Sequence, residues 1–208
     1  DTSGRMLLGT DVASALTTIE ALGVDVVGLN CSTGPEHMRE PISYLTSHTS
    51  MPVSCIPNAG LPLNVDGNAV YPLEPDPMGN ALSEFSSTLG VRVVGGCCGS
   101  TPEHIRQIAN AVRNVSLPPR SPETVQPEPY VSSAMKAVSL HQDPRPLIVG
   151  ERVNSLGSRK VKKLLLKDDY DSILQIARDQ VDNGAHVLDV CVAMSERGDE
   201  AEQMETLV

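Results

Sequence analysis

The chain has 208 residues, enough for one or two domains. Forty percent are apolar, yet only 2% are aromatic and Trp is absent, so aliphatic side chains must fill the core. A net charge of −10 with no basic run argues against a nucleic-acid surface, and no apolar stretch approaches the ~20 residues needed to span a bilayer.

No signal peptide is visible, so the expected location is cytoplasmic, where thiols stay reduced. Five cysteines, an odd number, also fit a disulfide framework poorly. The sequence opens on Asp1 and closes on a helical pattern, Asp199 to Val208, with no stop signal. It reads as an internal window of a longer protein.

In chain order, Val12, Ala15, Leu16 and Ile19 mark the apolar face of a first helix. Three β-branched runs follow: Asp25–Asn30, Pro52–Ile56 and Val91–Gly96. Each leads through a polar or glycine-rich turn into a helical pattern. The last of these helices shows an apolar face of Ile105, Ile108, Ala109 and Val112. Strands alternating with helices predict parallel βα units. Residues 115–146 carry seven prolines, including Pro118, Pro119, Pro122 and Pro127, and read as an extended linker with a short helix near Ser132–Val138. The βα pattern then restarts. A strand is expected at Leu147–Val149, and a helix marked by Leu174, Ala177 and Val181 should end at Asn183-Gly184. A further strand is expected at His186–Val190.

An internal repeat places the chemistry. Val26-Val27-Gly28-x-x-Cys31-x-x-x-Pro35-Glu36-His37 recurs at constant offset as Val93-Val94-Gly95-x-x-Cys98-x-x-x-Pro102-Glu103-His104. Both copies read as strand, glycine turn, cysteine, then a helix opened by Pro near its first position with Glu in its first turn. In a closed βα barrel the C-terminal strand ends share one face, where active sites sit, so Cys31 and Cys98 can converge and Cys97 adds a third sulfur. Three thiolates and one exchangeable position is the form of a catalytic zinc site. A cysteine at a strand end is also often only a small buried hydrophobe, which is the competing reading for Cys55 and Cys191. A vicinal pair can instead close a strained disulfide. The matched flanks favour the metal reading for Cys31, Cys97 and Cys98. His37 and His104 sit in first helical turns and read as helix-end residues rather than ligands.

Gly28-Leu-Asn-Cys31, Pro57-Asn-Ala-Gly-Leu-Pro62 and Gly95-Gly-Cys-Cys-Gly99 together resemble the signature of the homocysteine S-methyltransferases. The resemblance covers residues 1–114. It implies the second half of a TIM (β/α)8-type barrel, strands six to eight, with zinc on Cys31, Cys97 and Cys98 and homocysteine as the fourth ligand. Gly150-Glu-Arg-Val-Asn154 and Gly184-Ala-x-x-Leu-Asp-Val190 resemble the opening of a pterin-binding barrel that takes 5-methyltetrahydrofolate, here residues 147–208. Glu151, Asn154 and Asp189 are the expected pterin contacts, because amides and carboxylates at strand ends can pair with the pterin's polar edge. Cys191 stands where that family usually places Asn. Arg159, Lys160, Lys162 and Lys163 read as a solvated helix face, with attraction of a polyglutamate tail as the alternative.

A homocysteine barrel, a linker and a pterin barrel in that order resemble the cobalamin-dependent methionine synthases. Their chemistry implies that a zinc-held homocysteine thiolate accepts a methyl group that comes from 5-methyltetrahydrofolate by way of methylcobalamin. No Asp-x-His-x-x-Gly motif occurs in the chain, so the cobalamin-binding domain or subunit is expected outside it. The alternatives are a methyltransferase using another donor, such as betaine or S-methylmethionine, and a non-catalytic zinc module.

Overall fold

The structure, a computed structural model, describes residues 1–119 and 128–208. The central part of the proline-rich segment, with Pro122 and Pro127, lies outside the described residues.

The first helix, α1 (Val12–Glu20), starts where the Asp11 side chain accepts the Ser14 amide. That bond satisfies one of the amides a helix start leaves unpaired. Leu16 is buried, and Val12 and Ile19 pack on the same core. There follow β1 (Val27–Asn30), α2 (Pro35–His48), β2 (Val53–Ile56) and a hairpin of β3 (Leu63–Val65) and β4 (Asn68–Val70). The chain continues through α3 (Pro75–Glu84), a π-helical turn at Phe85–Leu89, β5 (Val93–Val94) and α4 (Pro102–Val112). β1, β2 and β5 form one parallel sheet with β2 in the centre. The α/β class with parallel βα units is therefore present. Among the described residues this sheet is open and has three strands.

The regular part of β5 is shorter than the Val91–Gly96 run. Single bonds nevertheless carry the pairing on at both ends: Arg92 N–H donates to Val53, Gly95 N–H to Cys55 and Cys97 N–H to Pro57. The core of this unit gathers Ile42, Leu45, Val53, Cys55, Met78, Leu82, Phe85 and Val91. α4 departs from its expected face. Ile108 and His104 are buried, whereas Ile105 is 47% exposed and Ala109 is exposed as well. The helix turns the 104/108 side inward because α3 approaches it closely at Gly79, where an added Cβ would sit 3.1 Å from the Gln107 carbonyl.

The expected helix near Ser132–Val138 is not there. β6 (Tyr130–Ser132) and β7 (Ala137–Ser139) form a two-stranded sheet instead. The cause is Ser133, whose hydroxyl accepts the amides of both Met135 and Lys136 while its own amide donates to the Lys136 carbonyl. A serine side chain that captures nearby amides offers the backbone an alternative to helix. The segment docks on α1 through Ser14 Oγ to the Ser133 carbonyl, and on the residues just before that helix through Thr10 Oγ1 to the Ala134 carbonyl, so it is not a free tether.

The chain divides into two compact units, Asp1–Ala137 and Val138–Val208. The second holds β8 (Val149–Asn154), α5 (Arg159–Leu165), α6 (Tyr170–Asp182), β9 (Val187–Cys191) and α7 (Glu200–Leu207). β8 and β9 pair in parallel with an irregularity between Gly150 and Val153. β8 begins two residues after the expected start at Leu147 and runs through the whole Gly150–Asn154 motif. α6 is capped by Asn183, with Gly184 following at φ +94°, a conformation glycine adopts without steric cost. Its buried face is centred on Ile173, with Ile176 and Ala177 beside it, while Leu174 and Val181 are exposed. The core there is Val153, Val161, Leu165, Ile173 and Val192. Arg197 ties the α5 end to the start of α7, donating to the Leu165 carbonyl and pairing with Asp168 and Asp199. No helix among the described residues is long and apolar enough to cross a membrane.

The two copies of the repeat pack differently at their glycines. A Cβ on Gly28 would lie 2.2 Å from the Ser54 carbonyl oxygen, while one on Gly95 would meet Ile56 at an ordinary 3.6 Å. Gly28→Ala should therefore lower the stability of the first unit by about 2 kcal/mol or more, a typical overpacking cost, and Gly95→Ala should be nearly neutral. Equal shifts of the two variants in a denaturant melt would contradict this packing.

A three-cysteine centre as the candidate functional site

β1, β2 and β5 are parallel, so their C-terminal ends open on the same edge of the sheet. Cys31 follows the last residue of β1, and Cys97 and Cys98 follow the Gly95-Gly96 turn after β5. Their sulfurs meet. Sγ of Cys31 and Cys98 are 3.6 Å apart, those of Cys97 and Cys98 are 3.9 Å apart, and all three lie within 4.8 Å of one another. A tetrahedral ion with metal–sulfur bonds of about 2.3 Å separates its sulfurs by about 3.8 Å, so two of these separations match the edges of a zinc tetrahedron. All five cysteines are free thiols. A vicinal disulfide is therefore not formed.

The chain leaving β2 holds the two cysteine loops together. Cys31 N–H donates to the Ile56 carbonyl and Cys97 N–H to the Pro57 carbonyl. Asn58, only 2% exposed, accepts the Cys98 amide on its side-chain oxygen at 3.1 Å, while its own amide donates to Thr33. Ala59 N–H then donates to the Cys98 carbonyl. Cys31 and Ser32 both adopt left-handed backbone, at φ +61° and +67°. Such conformations cost of order 1–3 kcal/mol each in residues other than glycine and persist only where the surroundings enforce them. In the second copy the position equivalent to Ser32 is Gly99, at φ +76°.

Electrostatics differ across the three thiols. The Cys31 thiol is held below its ordinary value, chiefly by the Ser32 amide, then by the neighbouring Cys98 and Cys97 and by the Asn58 side chain. Cys97 is pushed up, first by desolvation and then by its sulfur neighbours, with the Cys98 amide opposing. The Tyr71 phenol is also raised, first by desolvation and then by its interaction with Cys98 and the charge of the three sulfurs.

The histidines of the repeat divide. His104 closes a capping box with Thr101, accepting the Thr101 amide on Nδ1 at 3.2 Å, while Nε2 lies 2.8 Å from the Leu73 carbonyl. A carbonyl only accepts, so Nε2 carries the proton. The helix-end reading of His104 is thus realised. In the first copy the N-cap is Gly34, which has no hydroxyl, and no equivalent side-chain cap forms. His37 is half-buried beside a cleft of about 400 Å³.

In the second unit, Asn154 and Asp189 are brought together: Asn154 Nδ2 donates to Asp189 Oδ2 at 3.2 Å. Asn154 Oδ1 also accepts the Leu156 and Gly157 amides, which turns the chain after β8. Glu151 is not part of that pair. It lines a cavity of about 650 Å³ with Arg152, Lys160, Asp179 and Gln180. Cys191 Sγ lies 3.9 Å from Ser155 Oγ. In the basic cluster, Lys162 pairs with Glu196 at 2.7 Å, while Arg159, Lys160 and Lys163 are exposed.

A family model described as homocysteine S-methyltransferase matches residues 1–112. This chain belongs to the homocysteine S-methyltransferase family. A second model, described as pterin binding enzyme, matches residues 150–208 of this S-methyltransferase chain. The chain is 47% identical over 192 residues to the methionine synthase of Mycobacterium tuberculosis. It is 46% identical over 194 residues to the methionine synthase of Mycobacterium leprae. Each match covers 92% of this chain and 16% of the relative, so the chain spans about a sixth of the length of these relatives.

Sequence reasoning missed two members of the site, Asn58 and Tyr71. The Pro57–Pro62 motif was the available signal for Asn58. No local pattern marks Tyr71. The third cysteine type, Cys55, is fully enclosed, and burial pushes its thiol up to about 12. At pH 8 its thiolate fraction is on the order of one in ten thousand. Iodoacetamide applied to the metal-free native protein should modify Cys98 and leave Cys55 untouched, as read by peptide mass spectrometry. Modification of Cys55 at the rate of Cys98 would contradict its enclosure.

Proposed function

We propose that this chain carries the homocysteine-activating centre of a methionine synthase, together with the beginning of its methyltetrahydrofolate site. Residues 1–114 are the second half of a homocysteine-binding (β/α)8 barrel. Residues 115–146 connect it to 147–208, the start of a pterin-binding barrel. The observation that carries this reading is the convergence of three thiols at zinc-tetrahedron spacing on the C-terminal edge of a parallel sheet, in a chain of the homocysteine S-methyltransferase family. The two long relatives that bear the name methionine synthase and the pterin-binding match support the choice of methyl donor over betaine or S-methylmethionine.

Cys31, Cys97 and Cys98 would hold zinc, which when bound lowers the pKa of a homocysteine thiol so that it is a nucleophile at neutral pH. Everything else falls to the chain's own groups. The Ser32 amide and the Asn58 side chain help to hold the Cys31 thiol below its ordinary value, and the Cys98 amide opposes the rise at Cys97. At Cys31 the balance favours the thiolate form that a metal requires. The strained backbone at Cys31 and Ser32 turns the first sulfur toward the other two. In the second unit, Asn154 is held by two amides and by Asp189, which presents a fixed amide–carboxylate pair to the polar edge of a pterin. Glu151 would meet the folate from the neighbouring cavity. Methylcobalamin, the methyl carrier in this reading, belongs to a domain or subunit outside these residues. The protein would work in the cytoplasm, with no nucleic-acid or membrane partner.

In the full-length protein, Cys98→Ser should reduce bound zinc to well below one equivalent and abolish methionine formation from homocysteine. Transfer of methyl from methyltetrahydrofolate to free cobalamin should survive. A variant that kept full zinc and full methionine synthesis would overturn the assignment.

A further inference from the structure

We propose that α5 binds the oligoglutamate tail of a folate: Arg159, Lys160 and Lys163 pair with the carboxylates of the tail while the pterin lies on Asn154 and Asp189. The inference rests on the reading of the second unit as a methyltetrahydrofolate site. It deepens that reading by naming where the anionic end of the substrate goes.

The charge stands out against the rest of the chain. Residues 152–167 hold six of the 16 cations, Arg152, Arg159, Lys160, Lys162, Lys163 and Lys167, and no acid, in a chain of net charge −10. Two of the six have a structural role. Lys162 pairs with Glu196 at 2.7 Å, and Lys167 stands just beyond the end of α5, where a cation complements the helix dipole. Arg152, Arg159, Lys160 and Lys163 are exposed, and none of them has an acidic partner among the described residues. Arg159 and Lys160 open the helix against its dipole. Arg159 and Lys163 are four residues apart, a like-charge spacing that weakens a helix. Stability of the fold therefore does not account for these cations, whereas an anionic ligand does.

Packing holds the helix in one orientation. Val161 and Leu165, one turn apart, are fully buried in the core with Val153 and Ile173. Lys162 ties one flank to the loop after β9, and Ser158 Oγ caps the start by accepting the Val161 amide. The turn leading into α5 is built by Asn154, whose Oδ1 accepts the Leu156 and Gly157 amides. Asn154 and Arg159 are five residues apart, so at most about 17 Å of chain separates the pterin pair from the first cation. That is within the reach of the aminobenzoyl arm that joins a pterin to its first glutamate. Lys160 and Arg152 also line the cavity of about 650 Å³ that holds Glu151. The acids of that cavity, Glu151 and Asp179, belong to β8 and α6, so its α5 wall is the cationic one. Lys163 is the neighbour of Lys160 one turn further along the helix. Each γ-linked glutamate adds one free carboxylate, so a longer tail gains a charge-assisted contact for each cation it reaches.

The test uses full-length protein and follows methyl transfer from methyltetrahydrofolate to free, reduced cobalamin, comparing the monoglutamate with the triglutamate. Wild type should show a KM lower by about fivefold or more for the triglutamate, and the preference should shrink as salt is raised. The triple variant Arg159→Gln, Lys160→Gln, Lys163→Gln should bring the two KM values to within about twofold of each other, with circular dichroism and melting like wild type. Lys167→Gln, a cation outside the set, should keep the wild-type preference. Equal KM values in wild type, a triple variant that keeps the preference, or a loss as large in Lys167→Gln would overturn the proposal and leave α5 a solvated face. If wild type transfers no methyl even from the monoglutamate, the folate reading itself fails, and the tail site fails with it.

Discussion

The site depends on the backbone that leaves β2. Between Ile56 and Ala59 it accepts or donates hydrogen bonds to Cys31, Thr33, Cys97 and Cys98, and so clamps two loops that belong to strands on either side of it. Neither loop touches the other through main-chain pairing in the sheet, because β1 and β5 each pair only with β2 among the described residues. Convergence of the sulfurs is therefore a property of the central strand. It lets two half-buried thiols and one exposed thiol sit within reach of one ion.

This clamp also explains why the repeated segments are not interchangeable. The first copy reaches its geometry through close contact at Gly28 and two left-handed residues, Cys31 and Ser32. The second spends glycines instead, with Gly99 in the left-handed position and Gly95 in open contact. Thr101 caps the second helix, where Gly34 stands in the first. The same strand–turn–cysteine–helix plan is thus built once under strain and once with glycine. The strained copy carries the cysteine whose thiol is held low.

Much of this was legible in the amino-acid sequence, because the repeat binds cysteine position to strand end. The three sulfurs, the parallel βα units and the helix-capping histidine at 104 all follow from local pattern. What escaped depends on contacts between distant segments. The buried faces of α4 and α6 are rotated from their apolar stripes, since the approach of α3 at Gly79 and the packing around Ile173 decide which side turns inward. The helix expected near Ser132 lost to a serine side chain that captures two amides, and its segment then docks on α1. Asn58 and Tyr71 reach the cysteines only through the folded arrangement of β2 and the β3–β4 hairpin. In the second unit, Asn154 and Asp189 come together across β8 and β9, while Glu151 faces a separate cavity.

The central claim is that three cysteine sulfurs hold zinc and leave one position for homocysteine. X-ray absorption at the zinc edge of the full-length protein tests it most directly. The account predicts three sulfurs and one lighter atom around zinc in the resting protein, and four sulfurs once homocysteine is added. Four sulfurs at rest, or a sulfur count that homocysteine leaves unchanged, would contradict it.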